Sequence, residues 1–309
     1  MEMALISAEQ VFVMFLLVAA GFFLEKRGVF TKLGTDQLNK LVILFVVPAV
    51  LIDSYNRPYN AEEFLNLMQG LGLSAVSILI ALGVGYLFIR GEDEDRRIER
   101  FSVMLSNGGF MGIPLITAVL GRESVIYASS YIVCFTVFQW CVGPVMLKGR
   151  EPVLPLIKKI LINPGVLSVA AGLIIFRFSI PIPRPVSSAL EYAAGLNTPI
   201  PMILVGTAMA RSRLLDTFKN PRVYLVSALS LIVAPLLMLP VYLLLRPDTT
   251  VMLAILLASS CPIGAATAIF PVMYGYDSKY ASRLITVSTL LSVITIPLMV
   301  YICQLAFGL

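Results

Sequence analysis

The sequence predicts an all-α integral membrane protein: ten transmembrane helices in two inverted five-helix repeats, with the fourth and ninth helices interrupted. Three observations predict it. Hydrophobic residues make up 58% of the 309 residues and charged residues only 13%, with a mean hydropathy of +0.90, outside the range of water-soluble domains. Apolar stretches long enough to cross roughly 30 Å of hydrocarbon recur along almost the whole chain. Two of them, at corresponding places in the two halves, are broken by glycine and proline.

The stretches fall at 10–24, 38–55, 65–89, 101–120, 124–147, 157–177, 187–209, 222–245, 250–274 and 284–307, which leaves no room for a separate soluble domain. The first could pass for a secretory leader. Its lead-in MEMALISAEQ, however, carries Glu2 and Glu9 without Lys or Arg, and no A-x-A-like site follows, so it reads as a retained helix. Span two, KLVILFVVPAVL, has Pro48 at its centre. After span three the run GEDEDRRIER, Gly91 to Arg100, reads as a solvated turn. Span four contains SNGGFMGIPL, Ser106 to Leu115, where Asn107, three glycines and Pro114 sit in an otherwise lipid-compatible run. Proline there removes a backbone donor and clashes with the preceding turn. Spans five and ten carry Pro144 and Pro297 near their ends, read as kinks, and span six opens at Asn163-Pro164. Span seven holds TPIPMILVG from Thr198 to Gly206, span eight LIVAP ending at Pro235, and span nine SSCPIGAATAIFP from Ser259 to Pro271. The four cysteines, Cys134, Cys141, Cys261 and Cys303, all fall within spans, where packing is the expected role.

Basic charge alternates between connectors. Lys26, Arg27, Lys32 and Lys40 fall in the first, Arg90, Arg96, Arg97 and Arg100 in the third, and Lys148, Arg150, Lys158 and Lys159 in the fifth. Arg211, Arg213, Lys219 and Arg222 fall in the seventh, and Lys279 and Arg283 in the ninth; together these are 18 of the 23 basic residues. Even connectors share Arg57, Arg122, Arg177, Arg184 and Arg246. The positive-inside rule then makes the odd connectors cytoplasmic and both termini extracytoplasmic, in a plasma (inner) membrane. The same dispersal explains the net charge of +5 as topology and argues against a nucleic-acid partner.

Five spans per half is an odd number, so a second half that repeats the first must enter from the opposite side. Residues 1–150 form repeat one and 151–309 repeat two. Sliding the chain by 153 positions lays Pro48 on Pro201, Pro144 on Pro297, Ser106 on Ser259 and Asn107 on Ser260, so span four overlays span nine. Paired interruptions of this kind point to a transporter binding site. An unwound segment in lipid leaves backbone groups unpaired at several kcal/mol each, and survives only when buried in protein or lining a wet cavity. The N-termini of the resumed helices then favour anions. The chain has no histidine, every Lys and Arg maps to a connector or span end, and no Asp or Glu lies near a span centre, Asp53 at the end of span two being nearest. An anion would therefore be held by helix dipoles, Asn107 and small hydroxyls, and coupling to a proton or sodium stays open.

At this point the motifs carry a resemblance. LSNGGFMGIPL, Leu105 to Leu115, resembles the fourth-helix motif of the auxin efflux carrier family, in which an asparagine precedes an M-G-I-P-L run. The proline of span two, Asn163-Pro164, TPIPMILVG, LIVAP and Cys261-Pro262-x-Gly264 extend the match over nearly the whole chain. The resemblance implies ten helices in two inverted repeats, a scaffold domain from spans 1, 2, 6 and 7, and a transport domain from spans 3, 4, 5, 8, 9 and 10. It further implies elevator-type alternating access, organic-anion substrates such as malate, malonate or indole-3-acetate, and a homodimer joined through the scaffold. By the motif match Asn107 takes the family's substrate-site asparagine and Pro114 its crossing-point proline. Three departures stand out. Thr267 occupies the place of the crossing proline of plant members, so Pro262 or Pro271 must break span nine; the long cytoplasmic loop is absent; and Ser230 and its neighbours are uncharged where bacterial relatives often place a basic residue.

The candidate substrate-binding residues are Asn107, Gly108, Gly109, Ser260, Cys261, Gly264 and Thr267, with Gly112, Pro114, Pro262 and Pro271 as helix breakers and Pro48, Thr198 and Pro201 facing from the scaffold. Each has a plainer alternative: an interhelical hydrogen bond for Asn107, close helix packing for the glycines, and a bond back to the preceding turn for the hydroxyls. No cofactor or metal is called for. An intramembrane enzyme lacks a histidine base or a buried acid pair. A channel with rings of charge does not fit two dissimilar interruptions in one chain, and a membrane sensor would need a signalling domain. The reading that results is a secondary carrier of a small organic carboxylate.

Overall fold

The computed structural model describes residues 2–149, 152–211 and 217–308. Arg150 and Arg213, assigned above to basic connectors, lie outside the described residues. Within them the chain is helical, and the one strand-like feature is an isolated antiparallel bridge between Ser106 and Ile263. Among the described residues seven helices are long and apolar enough to cross a membrane: Glu2–Lys26, Lys32–Ser54, Ala61–Phe88, Arg122–Lys148, Arg184–Arg211, Pro221–Leu245 and Ser278–Phe307. An eighth results if Leu154–Leu161 and Pro164–Arg177, bent by 58°, count as one span. The shortfall from ten lies at predicted spans four and nine, whose apolar helices are the shorter Gly108–Leu120 and Thr249–Ser259.

In chain order the α-helical segments are α1 (Glu2–Lys26), α2 (Lys32–Leu41), α3 (Val47–Ser54), α4 (Ala61–Phe88), α5 (Glu94–Met104), α6 (Ile113–Leu120), α7 (Val125–Cys141), α8 (Gly143–Lys148) and α9 (Val153–Leu161). They continue with α10 (Pro164–Arg177), α11 (Arg184–Gly195), α12 (Pro199–Arg211), α13 (Pro221–Ala228), α14 (Ala234–Leu236), α15 (Met238–Leu245), α16 (Thr249–Ser259), α17 (Ala266–Ile269) and α18 (Ser278–Phe307). Several starts follow from capping chemistry. Asn60, Asp93, Asn163, Asn220, Asp248 and Asp277 each accept a hydrogen bond from an amide of the first turn they precede.

Three helical rods contain one widened, π-type turn, at Val42–Val46, Gly108–Gly112 and Leu229–Val233, and a proline follows each by two residues: Pro48, Pro114 and Pro235. The pattern has a direct cause. A proline ring collides with the carbonyl four residues back, and an extra residue in the turn moves that carbonyl aside without ending the rod. Pro297 is instead carried inside the continuous α18.

Packing sorts the helices into two groups. In one, α1 lies along α12 while α3 packs on α10 and α11. In the other, α4 packs on α5 and α7, α13 on α18, and α16 on α4, α6 and α7. All residues of α16 from Val251 to Ser259 are buried, as suits a helix at the centre of its bundle. A seam of α1 with α6 and α18, and of α7 with α10, joins the groups. The α1–α12 contact depends on two glycines: a Cβ at Gly21 would lie 2.1 Å from the Ile203 carbonyl oxygen, and one at Gly206 2.0 Å from that of Val18. Small residues that let backbones approach this closely drive helix association where lipid removes the hydrophobic incentive.

The run Gly91 to Arg100 corrects the expectation of a solvated turn. Asp93 caps α5, so Glu99 and Arg100 fall on a helix face that packs inward, and both are buried. The Glu99 carboxylate accepts hydrogen bonds from Arg96 at 2.5 Å, from Arg222 at 2.7 and 2.5 Å, and from the Tyr280 hydroxyl at 2.5 Å. Arg100 pairs with Glu92 at 3.2 Å, donates to the Gly91 carbonyl and lies over the Tyr86 ring. Glu99 thereby ties the basic ends of α5, α13 and α18 together. Outside the spans, burial and the nearby Asp93 and Glu99 carboxylates push the Asp95 carboxyl up.

Removing one partner of a buried ion cluster leaves the others uncompensated. Glu99→Ala is therefore expected to destabilise the detergent-solubilised protein by roughly 3 kcal/mol; a thermal-unfolding midpoint equal to wild type would show that the cluster carries no stability. Gly206→Ala should likewise lower the midpoint, because the new Cβ meets backbone rather than a side chain that can move, whereas Gly83→Ala, in open space, should not. Equal midpoints for the two glycine variants would remove the close α1–α12 contact from the stability account.

Candidate functional site

The site begins where helix geometry fails. After Met104 the backbone turns extended at Leu105 (φ −114°, ψ 100°), and helix resumes only at Gly108. The second break runs from the end of α16 at Ser259 to the start of α17 at Ala266. The two unwound segments satisfy each other. Asn107 N donates to the Pro262 carbonyl at 2.7 Å and Gly264 N to the Leu105 carbonyl at 2.9 Å, a single antiparallel bridge in the middle of a helical protein. Ile263 N donates to Ser288 Oγ of α18 at 3.1 Å. Ser106 Oγ donates to the Ala258 carbonyl at 2.7 Å and lies 2.8 Å from Tyr131 Oη, which fixes the bridge to α16 and α7.

What the bridge leaves over is a donor set. The amides of Gly108, Gly109 and Phe110 open the resumed helix Gly108–Leu120, and the first amides of any helix lack a carbonyl one turn back. The side-chain amide of Asn107, 7% exposed, has no partner among the described residues. Both lie beside a cavity of about 300 Å³ whose wall includes Asn107, Gly109 and Gly264. The aromatic part of that wall is Phe110, Tyr131, Phe135, Trp140 and Phe270, and its polar outer part is Asn39, Gln139 and Asn163. Among the described residues no Lys, Arg, Asp or Glu lines it. Trp140, the single tryptophan of the chain, stands edge-on to Phe270, with the Lys159 ammonium 4.8 Å from its ring centre.

The remaining sequence candidates separate by position. Gly108 and Gly112 are held by packing: a Cβ at Gly108 would lie 2.9 Å from the Tyr131 ring, and one at Gly112 3.3 Å from Ala258 Cα, whereas Gly109 has open space. Cys261 is buried with Sγ directed at the Leu257 carbonyl, and Thr267 is buried with its hydroxyl donating to the Gly264 carbonyl at 2.8 Å. Ser260 is buried and its hydroxyl has no partner among the described residues. Pro262 contributes the carbonyl that receives Asn107, and Pro271 begins a short tight turn, Pro271–Tyr274. Pro48 adjoins Val47 of the cavity wall. Pro201 lines a third cavity of about 170 Å³ that shares Asn39, Phe110, Ala265 and Ile269 with the one around Asn107.

Pro114 and Thr198 line a separate cavity of about 480 Å³, toward the ends of the helices away from the basic connectors. Asn197, in the turn between α11 and α12, is the partition: it is 2% exposed, lies on the wall of this cavity, and points Nδ2 at the Gly109 carbonyl, 3.5 Å away. Sequence reasoning passed over Asn197 although it immediately precedes the motif that opens at Thr198, and it passed over Tyr131, whose hydroxyl at Ser106 no local pattern announces.

Comparison with known proteins follows this geometry. A family model described as "Membrane transport protein" matches residues 6–155 and 153–300. A Rhizobium meliloti protein named "Putative malonate transporter" is 26% identical over 286 residues, 86% of each chain. An uncharacterized transporter of Methanothermobacter thermautotrophicus is 25% identical over 297 residues, 94% of this chain and 97% of its own. One from Methanocaldococcus jannaschii is 23% identical over 315 residues, 95% and 98% of the two chains. With most of its length inside the family model and an apolar helical bundle to match, the chain belongs to the membrane transport protein (auxin efflux carrier) family and is a transporter, not an enzyme.

Proposed function

We propose that the protein is a secondary carrier of small organic carboxylate anions, which bind where the unwound segments of spans four and nine cross. In this reading ten spans form two inverted repeats. Spans 3, 4, 5, 8, 9 and 10 move as a transport domain against a scaffold of spans 1, 2, 6 and 7, in an elevator-type exchange between the two faces. The observation that carries it is the pairing of the breaks. Because Leu105, Asn107, Pro262 and Gly264 satisfy one another, the Asn107 side chain and the amides at Gly108–Phe110 are spared for a ligand. Helix N-termini and amide donors suit a carboxylate.

The walls narrow the substrate. With no Lys or Arg among the described residues on the cavity around Asn107, one carboxylate can be met by amides and dipole, and the five aromatic side chains suit an apolar body. A dicarboxylate, as the name of the Rhizobium meliloti relative suggests, is the second reading. The carrier is placed in the plasma (inner) membrane as a scaffold-joined homodimer with the basic connectors cytoplasmic, driven by a proton or sodium gradient or by neither.

Uptake into proteoliposomes of labelled malonate, malate, lactate and indole-3-acetate, with and without sodium and proton gradients, tests the reading. Saturable uptake of at least one acid is expected, with Asn107→Ala raising its KM roughly tenfold, the equivalent of one hydrogen bond to a charged group, at an unchanged unfolding midpoint. Saturable uptake that Asn107→Ala leaves untouched would return Asn107 to a packing role. For the orientation, Glu94→Cys, exposed at the start of α5, should react with an impermeant thiol reagent only from the cytoplasm; reaction from outside would invert the topology.

A further inference from the structure

The cavity on the far side of Asn197 has a cation, Arg122, on its wall. Among the described residues, Arg122 is the only Lys or Arg on the walls of the three cavities described above. It stands just after Gly121, at the head of α7, and its side chain is half exposed. Its guanidinium is divided between two other helices. Nη2 donates to Asp53 Oδ2 of α3 at 2.6 Å, and Nη1 donates to Glu191 Oε1 of α11. Both acceptors belong to the helix group of α1, α3 and α10–α12, whereas α7 packs with α4 and α16, so both bonds cross the seam. Beside them Arg57, just past the end of α3, donates to the Glu123 carbonyl at 2.9 Å, a third bond across the same seam. At the opposite, basic end, the ion pairs Arg222–Glu99 and Arg211–Glu25 each stay within one group.

We propose that Arg122 is a second carboxylate-binding point on the transport path, and that its divided ion pair is a clasp opened when the substrate's carboxylate takes both guanidinium nitrogens. The proposal rests on the carboxylate-carrier reading above. A guanidinium fork matches one carboxylate with two parallel bonds. Split between Asp53 and Glu191, it makes one bond to each. A carboxylate arriving in the cavity offers both oxygens to the same fork, and accepting it releases α3 and α11 together. Ligand binding and loss of the two Arg122 bonds across the seam are thus the same event, which gives the bound and empty carriers different freedom to move.

The clasp is read by access to Gly109, where a Cβ has open space and where the cavity around Asn107 begins. In oriented vesicles, Gly109→Cys is treated with an impermeant maleimide from the face opposite the basic connectors, with the parent chain as the blank. Arg122→Gln is expected to raise the labelling rate roughly tenfold, as is Asp53→Asn combined with Glu191→Gln, since either change removes the pairing. The two differ in uptake. Without the reporter cysteine, Arg122→Gln should raise KM for malonate or indole-3-acetate roughly tenfold, and the double variant should not, because it keeps the guanidinium. Labelling in both backgrounds equal to that of Gly109→Cys alone overturns the clasp, and an unchanged KM in Arg122→Gln overturns the binding role, in each case with the carrier reading intact. If the wild type takes up none of the four acids of the uptake panel, the carrier reading fails and the binding role fails with it, while the labelling rates still decide the clasp. The double variant serves should Arg122→Gln not fold.

Discussion

A polypeptide that unwinds inside a membrane must find partners for its own backbone, and the rest of this structure is arranged around that obligation. The amides and carbonyls freed at Leu105–Asn107 and at Pro262–Gly264 turn to each other, in a bridge of two bonds at 2.7 and 2.9 Å. Everything adjacent holds that bridge still. Ser106 is tied to α16 and Tyr131, Ile263 to Ser288, and the glycines at 108 and 112 let α16 come close enough to be the floor. The groups left for a ligand in the proposed reading are the remainder after this accounting, amides on a wall where no charged side chain stands among the described residues.

The same economy governs the prolines. Three of them reside in the rods at the cost of one widened turn each, so a residue that would end a helix in water bends one here without stranding a carbonyl. Charge is likewise confined to places where it is answered. Glu99 collects two arginines and a tyrosine at the basic ends of three helices, and Arg122 collects two carboxylates at the other end. The first cluster stiffens one group of helices internally. The second lies between the groups, so that the proposed elevator exchange would have to break it.

Much of this was legible in the sequence, for identifiable reasons. Hydropathy reports the solvent, and the breaks in the fourth and ninth stretches announce themselves because glycine, proline and asparagine are out of place in lipid. The prominence of Asn107 followed from the same clash. Hidden were the consequences of helix phase and long-range contact. Six consecutive charged residues from Glu92 to Arg97 look solvated, yet capping at Asp93 rotates Glu99 and Arg100 inward. Thr267 and Cys261 look like ligands in a broken span, yet each spends its polar atom on a carbonyl one turn away. Arg122 was counted as loop charge, because nothing near it in sequence reveals that Asp53 and Glu191 will meet it.

Trp140 has a consequence of a different kind. The chain has a single indole, and folding sets it on the wall of the aromatic cavity, edge-on to Phe270 and below an ammonium group. Tryptophan emission of the unlabelled protein therefore originates at one known place, beside the amides of the crossing. The molecule carries a built-in optical probe at the one location where a change in polarity or ring stacking would be informative, with no second chromophore of that type to dilute the signal.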